Sequence, residues 1–243
     1  MSRTYRVMGV QLEQRDDIQE QASRIARWIA EAGEARADFV VFPEMILTGY
    51  HNRFSQDDAN AGYQVVSEAC RKAAVCACVG AGEWREDGCF NQVRVWDDQG
   101  SYLGAHEKVL VTDGDALQFR PGANLRIFEH KGLTFGCLIC NDFWCNPSGT
   151  TLFDLKLVYQ LARLGAKVIF HSVASFTDQL WKEFHEGNVR ARAATAGVYV
   201  ATANQAYSDA PVNCRSGLVS PGAEWIAEAP LAGEGSYLTE FEV

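Results

Sequence analysis

Cys140 is the residue in this sequence with the clearest chemical potential. An apolar run over residues 133–139 predicts a buried strand, and the polar pair Asn141-Asp142 ends that strand directly after the cysteine. Cys140 is therefore placed at the carboxyl end of a strand, where open α/β sheets bind their ligands. A thiol there can act as a nucleophile when a neighbouring group takes its proton. Most free cysteines are buried and inert, so this role requires partners.

Two charged residues follow other predicted strands. Glu44 comes shortly after the apolar strand 39–42, and Lys108 follows a hairpin strand that ends at His106. Each residue alone is most simply a solvated loop residue. Together with Cys140 they supply the parts needed for thiol attack on an amide carbonyl: a base, a nucleophile and a positive group where negative charge develops. No G-x-S-x-G elbow offers a serine alternative.

The order of predicted elements favours an α/β fold. A strand at 5–12, an amphipathic helix at 16–32 and the strand at 39–42 form a βαβ unit with a parallel sheet. Asp16 or Asp17 can cap the helix, and Gly33 can end it. Residues 107–122 predict a loop. Further helices are predicted at 64–74, 154–164 and 178–196, and further strands at 76–83, 90–96, 102–106, 127–129, 134–139, 168–172, 198–203, 216–219, 225–228 and 237–243.

Composition narrows the class of protein. The chain has 243 residues, is 47% hydrophobic and carries a net charge of -9 without a basic stripe. We therefore expect one domain over residues 1–243 and neither nucleic acid nor a membrane as partner. Residues 1–12 lack the apolar core of a signal peptide. Eight cysteines without a secretion signal predict free thiols in the cytoplasm.

Cys137 and Cys140 form a C-x-x-C pattern, which raises a metal or redox site as an alternative. Side chains three residues apart on a strand point to opposite faces, so this pair could share a metal only if the strand broke between them. No second C-x-x-C and no H-x3-5-H pair completes a zinc ligand set. The sequence therefore predicts no metal.

With these residues in view, the chain resembles the nitrilase superfamily of carbon-nitrogen hydrolases. The resemblance spans nearly the whole chain, with its motifs in the family's order. The stretches that carry it are Val41–Glu44 with Thr48–Tyr50, the segment 90–108, Phe119–Gly122, Gly136–Asp142, Arg190–Ala193 before Val198–Val200, and Ser216–Gly222.

The resemblance implies a four-layer αββα sandwich, with two mixed sheets flanked by helices, that usually forms a homodimer. It also implies roles for the residues above. Glu44 would be the general base, Lys108 would stabilise the tetrahedral intermediate, and Cys140 would form a thioester. The backbone N–H of Asn141 would be a second donor to the oxyanion. No cofactor is implied.

Departures from the family pattern limit what can be transferred. Asp115 stands where relatives often have a second glutamate. Because its side chain is one methylene shorter, two interpretations stay open: a partner of Lys108, or a plain acid in an Asp-Gly-Asp turn. The segment 143–149 also differs from many relatives and lacks their arginine. Tyr50, Phe143 and Trp144 are interpreted either as walls of an aromatic substrate pocket or as ordinary core.

Three functions are consistent with these residues. Asn141-Asp142 after the nucleophile resembles the amidase and carbamoylase branches, so we predict hydrolysis of a small amide or N-carbamoyl compound and disfavour a true nitrilase. An acyltransferase would use the same thioester and pass the acyl group to an amine. A non-catalytic protein on the same fold is the third alternative, motivated by Asp115 and the region of Trp144.

Overall fold

The structure, a computed structural model, describes residues 2–146 and 156–243. Its helices are α1 (Ile18–Glu34), α2 (Gln56–Ala73), α3 (Asn141–Trp144), α4 (Leu157–Arg163) and α5 (Lys182–Ala196). Its strands are β1 (Thr4–Glu13), β2 (Phe39–Val41), β3 (Cys76–Arg85), β4 (Gly88–Trp96), β5 (Tyr102–Glu107), β6 (Ile127–His130), β7 (Leu133–Ile139), β8 (Val168–Val173), β9 (Tyr199–Ala206), β10 (Gly217–Val219), β11 (Trp225–Glu228) and β12 (Gly235–Glu242). No described helix has both the length and the apolar character needed to cross a bilayer.

The strands form two mixed sheets. The first has the order β5-β4-β3-β2-β1-β12, with parallel pairs at its centre and antiparallel pairs at both sides. The second has the order β6-β7-β8-β9-β10-β11, in which β7, β8 and β9 run parallel. The two sheets are joined at the end of β1, where Leu12 pairs with Gln205 of β9.

Three apolar clusters separate four layers. Phe39 of β2 packs on Phe135 and Phe170 of the second sheet, with ring centroids 5.5 and 5.4 Å apart, in the cluster between the sheets. A second cluster lies under α1 and α2 and includes Ile25. A third lies between the other sheet and the helices α3 to α5. This αββα arrangement confirms the predicted fold class.

Several helix boundaries differ from the predicted ones. Asp17 caps α1 as one of the two predicted residues, but α1 ends at Glu34 rather than at Gly33. Helix α2 begins eight residues before the predicted start, because Ser55 caps its first turn. The predicted helix 178–196 is divided into a 3₁₀ turn at Gln179–Trp181 and α5. The first two residues of the predicted helix 154–164 lie outside the described residues.

The ends of three strands bring the residues of interest together. Glu44 follows β2, Lys108 follows β5, and Cys140 follows β7. The loop after β2 lies directly against β3, since the N–H of Leu47 donates to the carbonyl of Gly80 at 3.0 Å. A Cβ at Gly80 would stand 2.1 Å from the carbonyl oxygen of Pro43. Glycine therefore permits the close approach that positions Glu44.

Candidate active site

Lys108 lies at the centre of a buried cluster of charges. Its Nζ donates to Oε1 of Glu44 at 2.8 Å, to Oδ2 of Asp115 at 2.7 Å and to the hydroxyl of Tyr50 at 3.2 Å. The Tyr50 hydroxyl lies 2.8 Å from Oδ1 of Asp115 and 3.1 Å from Oε1 of Glu44, and can donate its proton to either. One cation therefore holds two carboxylates that would otherwise repel each other.

Glu44 is fixed from three sides. Asn91 of β4 donates its side-chain amide to Oε1 at 2.8 Å, and the N–H of Ala174 after β8 donates to Oε2 at 3.1 Å. The N–H of Glu44 donates to the carbonyl of Val173 at 3.3 Å. With Lys108 on Oε1, each carboxylate oxygen has a donor, so the side chain is held in one orientation.

Cys140 occupies a strained turn between β7 and α3. Its φ of 46° lies in the left-handed region that non-glycine residues rarely adopt. Its N–H donates to the carbonyl of Ser172 at 2.9 Å, and its own carbonyl accepts from the N–H of Phe143 at 3.1 Å. Its carbonyl also lies 3.2 Å from Nε2 of His171. Burial lowers the pKa of His171 to about 3, so this ring stays neutral.

Electrostatics keep the thiol protonated at rest. Burial raises the pKa of Cys140 well above its usual range, and the Glu44 carboxylate raises it further as a nearby negative charge and as a hydrogen-bond acceptor. Burial also raises the pKa of Glu44, against the opposing effect of the positive Lys108. The site is therefore a neutral thiol beside a carboxylate, and a proton must move when the sulfur attacks.

Lys108 and Asp115 remain an ion pair. Burial opposes the charge of Lys108, but the carboxylates of Glu44 and Asp115 outweigh it and raise the pKa of the lysine well above its usual range. Burial likewise opposes the charge of Asp115, but Lys108 outweighs it and lowers the pKa of the aspartate. The ammonium group is thus a permanent positive charge beside the thiol.

Asp142 connects the loop of the lysine to the turn of the cysteine. Its Oδ1 accepts from the N–H groups of Val109 at 2.8 Å and Leu110 at 2.6 Å. Its Oδ2 accepts from the N–H of Ile139 at 3.2 Å and lies 2.8 Å from Nε2 of His106. This fully buried carboxylate sets the distance between the two loops.

A cleft of about 580 Å³ opens above the cluster. Five of the residues predicted to form the site line it: Tyr50, Asp115, Cys140, Asn141 and Trp144. Glu44 and Lys108 lie fully buried beneath it. The cysteine is more exposed than the other seven cysteines, each of which is buried.

Two predicted substrate contacts differ from expectation. Phe143 lies behind the cleft, where its fully buried ring stacks on His171 with centroids 4.7 Å apart, so it does not reach a ligand directly. The side chain of Asn141 is used within the loops, since Oδ1 accepts from the N–H of Asn146 at 2.7 Å. Asn141 can therefore contact substrate through its backbone.

Sequence reasoning missed several residues of the site. Asn91 contacts Glu44 from within β4, a strand that also contains the polar residues Gln92 and Arg94, so its residue type alone gave no distinct signal. One wall of the cleft comes from the segment between β8 and α5 and from residues further along the chain. Its members are Ala174, Ser175, Phe176, Asp178, Trp181, His185 and Asn213. No local pattern links these positions.

The C-x-x-C pair is divided between two environments. Cys137 belongs to the core between the sheets and lies beside Cys78, whereas Cys140 lines the cleft. Within residues 2–146 and 156–243, no three His, Cys, Asp or Glu side chains are grouped to hold a metal ion. The strand is continuous up to Ile139, so its two-residue period separates the thiols.

The sequence matches a family model along nearly its whole length. The model, described as "Carbon-nitrogen hydrolase", covers residues 6–241. The resemblance drawn from the motifs is confirmed by this match.

Individual relatives are more distant. The chain is 24% identical to the glutamine-dependent NAD(+) synthetase of Acinetobacter baylyi over 93% of its own length, but it spans only 42% of that protein. It is also 24% identical to a nitrilase of Pyrococcus abyssi, covering 91% of this chain and 83% of the relative.

Among solved structures, an amidase from Nesterenkonia sp. AN1 has a similar fold. The TM-score is 0.84 at 19% identity, covering 98% of this chain and 90% of the amidase. A glutamate-to-glutamine mutant of that amidase has been determined with the acetamide moiety of fluoroacetamide added covalently at the active-site cysteine, and a cysteine-to-alanine mutant in complex with butyramide.

Proposed function

This chain belongs to the carbon-nitrogen hydrolase family, and we propose that it hydrolyses a non-peptide C–N bond in a small amide or N-carbamoyl compound through a thioester on Cys140. The observation that carries the proposal is the convergence of Glu44, Lys108 and Cys140 at the floor of one cleft. These three residues form the proposed catalytic triad. They come from three separate loops. Burying charged groups is costly, and the packing of a core does not require it, so this cluster favours a functional site.

The first step is the attack of the sulfur. Glu44 takes the proton of the Cys140 thiol while the sulfur forms a bond to the amide carbon, and the carbonyl electrons move to oxygen. Lys108 stabilises the resulting oxyanion, with the backbone N–H of Asn141 as the second donor. The raised pKa of Glu44 suits this role, since it brings the base closer to the pKa of the group it deprotonates.

The second step releases the amine. Glu44 returns the proton to the nitrogen, the C–N bond breaks, and ammonia or an amine leaves the thioester.

The third step hydrolyses the thioester. Water attacks the thioester carbon with Glu44 again as base, the C–S bond breaks, and the acid leaves as the thiol regains its proton. Glu44 acts as the base or the acid in every step, so the reaction needs only one glutamate for proton transfer.

Asp115 is proposed to hold Lys108 in place. It donates no proton in these steps, but its Oδ2 accepts a hydrogen bond from the same Nζ that donates to Glu44. The burial of this carboxylate against the ammonium group supports this role over that of a plain turn acid.

The two residues after the nucleophile favour an amide over a nitrile as the substrate. Asn141-Asp142 resembles the amidase and carbamoylase branches, and the solved amidase shares the fold. The similarity to a nitrilase is of the same order, so nitriles belong in the test.

The first experiment is ammonia release from a panel of small amides, carbamoyl compounds and nitriles, with Cys140→Ala as the matched control. Release that disappears in Cys140→Ala supports the hydrolase. Hydroxylamine added to the same reactions separates the second candidate, since an acyltransferase forms a hydroxamate much faster than the free acid. A protein that releases no ammonia and whose Cys140 resists alkylation would contradict both and support the non-catalytic alternative.

Homodimerisation and a cytoplasmic location are part of the proposal. The dimer rests on the resemblance to the family, and sedimentation showing only monomer would refute it. The location is supported by the eight cysteines, all within described residues and none in a disulfide.

A further inference from the structure

We propose that the cleft selects an uncharged amide with an apolar acyl group bearing a hydrogen-bond donor, and that His185 is the acceptor for that donor. The inference rests on the proposed function and specifies the class of substrate for the same site. It excludes amides that carry a free carboxylate, such as N-carbamoyl amino acids. Three features of the cleft carry it: its charge, its aromatic wall and the tautomer of one histidine.

The charge of the lining opposes anions. Among the described residues, the ionised side chains that line the cleft are Asp115 and Asp178, both acidic, and neither lysine nor arginine lines it. Lys108 lies beneath the floor, and its positive charge is offset by the two carboxylates of Glu44 and Asp115. The sequence of residues 147–155 contains no Lys, Arg or His either. A substrate carboxylate would thus lose its hydration without gaining a cation.

The wall of the cleft is aromatic. The ring of His185 stacks on Trp144, with centroids 3.8 Å apart and planes 18° apart, and Trp181 lies nearly parallel at 6.1 Å on the same histidine. Phe176 stands at the same wall and is 61% exposed. These surfaces favour apolar groups, and a cleft of about 580 Å³ has room for a ring-sized acyl group.

The tautomer of His185 follows from its neighbour. Asn213 donates its side-chain NH₂ to the carbonyl of Asp178 at 3.0 Å, so its Oδ1 faces Nδ1 of His185 at 3.1 Å and must accept. Nδ1 therefore carries the proton, and burial lowers the pKa of His185, so the ring is neutral. Nε2 is left as an acceptor, and the hydrogen bonds found for this ring within the described residues are made to Asn213.

Stacking and a hydrogen bond hold the His185 ring in one orientation, as recognition of a ligand requires. His185 is only 7% exposed, stacked on one face and hydrogen-bonded at one nitrogen, so its ring cannot turn to satisfy Nε2 elsewhere. A ligand that buries this nitrogen without a donor leaves it unsatisfied, which costs affinity. The site therefore discriminates by the presence of an N–H or O–H on the acyl group.

The test measures binding to Cys140→Ala by calorimetry, which needs no turnover. The probes are phenylacetamide, its 3- and 4-hydroxy and 3- and 4-methoxy derivatives, and the pair butyramide and succinamate. We expect one hydroxy derivative to bind roughly fivefold more tightly than its methoxy counterpart, which is the gain in affinity from one hydrogen bond between neutral groups. Butyramide should bind at least about tenfold more tightly than succinamate, since only the latter buries a charge.

A second variant assigns the acceptor. In Cys140→Ala with His185→Phe the hydroxy-to-methoxy ratio should fall to about one, and with His185→Gln, which keeps an acceptor, part of the ratio should return. Equal binding of hydroxy and methoxy derivatives, a ratio that survives His185→Phe, or succinamate binding as well as butyramide would overturn the inference. Selective binding without ammonia release by the unsubstituted enzyme would instead contradict the proposed hydrolysis and leave this selectivity intact.

Discussion

Oδ2 of Asp115 lies 2.7 Å from Nζ of Lys108, so the aspartate reaches the lysine although it is one methylene shorter than glutamate. The backbone makes up the difference. Asp115 begins a 3₁₀ turn, Gly114 precedes it, and the N–H of Thr112 donates to the same Oδ2 at 3.0 Å. The turn moves the main chain toward the lysine, which makes the shorter side chain sufficient.

Asp115→Asn should lower kcat/KM roughly 100-fold, the scale of a disturbed oxyanion donor. The amide removes the negative charge that helps to hold Lys108 protonated and in place. Steady-state kinetics on the best amide of the panel measures the effect. Asp113→Asn, two residues away and exposed, is the control and should leave kcat/KM unchanged. Full activity of Asp115→Asn would assign Asp115 to the turn alone.

Cys140 should be the first cysteine to react with iodoacetamide. It is the most accessible of the eight thiols, but its raised pKa means that it depends on Glu44 to remove its proton. Glu44→Gln keeps the size and removes the base, so labelling at neutral pH should slow about 100-fold. Peptide mapping by mass spectrometry after brief labelling measures both rates. Unchanged labelling in Glu44→Gln would show that the thiol does not use this carboxylate.

The pH dependence of kcat/KM should show one acidic limb. Glu44 must be ionised to act as a base, and burial raises its pKa, so activity falls as pH drops through a value above that of an ordinary glutamate. Lys108 must stay protonated, and its raised pKa keeps it so on the alkaline side. We therefore expect no loss from neutral pH up to the usual range of a lysine. A bell-shaped profile of kcat/KM centred at mildly acidic pH would contradict the roles assigned to Glu44 and Lys108.

The sequence could predict the elements that depend on local patterns. The apolar runs at 39–42 and 133–139 and the turn at Cys140 lie where periodicity placed them. The start of α2 was missed because Gly62, Asn60 and two aspartates lower the helix propensity of its first two turns, although Ser55 supplies a cap. Pairing of β12 with β1 joins the two ends of the chain, which no local pattern can show.

The candidate site divides in the same way. Glu44, Lys108 and Cys140 were predictable because each follows a recognisable strand and matches a family motif. His185 and Asn213 lie 28 residues apart and meet only through the packing of α5. Residue type leaves Phe143 open between the pocket and the core, and the turn of α3 directs its ring toward His171. Side-chain direction therefore required the structure.

Asp142→Asn should destabilise the fold and lower activity together. The carboxylate accepts from three backbone N–H groups and lies against His106, and an amide would place its own NH₂ against one of those donors. We expect about 3 kcal/mol less stability, the cost of leaving buried groups unpaired. Urea unfolding measures it, with the exposed Asp209→Asn as the control expected to lie within about 0.5 kcal/mol of the unsubstituted chain. Equal midpoints for the two variants would contradict the role of Asp142 as a connection between loops.

Gly80→Ala should impair activity through the position of Glu44. A Cβ at this position would stand 2.1 Å from the carbonyl oxygen of Pro43 and 2.7 Å from Cα of Glu44, so the loop after β2 must move. Both contacts are backbone atoms, which cannot move aside as the end of a flexible side chain could. Because a shift of about 1 Å in a catalytic group can cost about 100-fold in rate, kcat should fall by that order.

Gly187→Ala is the matched substitution for Gly80→Ala. Gly187 lies within α5, and a Cβ there meets no atom within 4 Å. Alanine should therefore leave kcat unchanged and stabilise the helix by up to about 1 kcal/mol, because it loses less backbone entropy than glycine. Opposite effects of the same methyl group at the two positions would attribute the loss at Gly80 to the displaced glutamate loop. An active Gly80→Ala enzyme would show that the loop tolerates the displacement and that Glu44 is positioned by its hydrogen bonds alone.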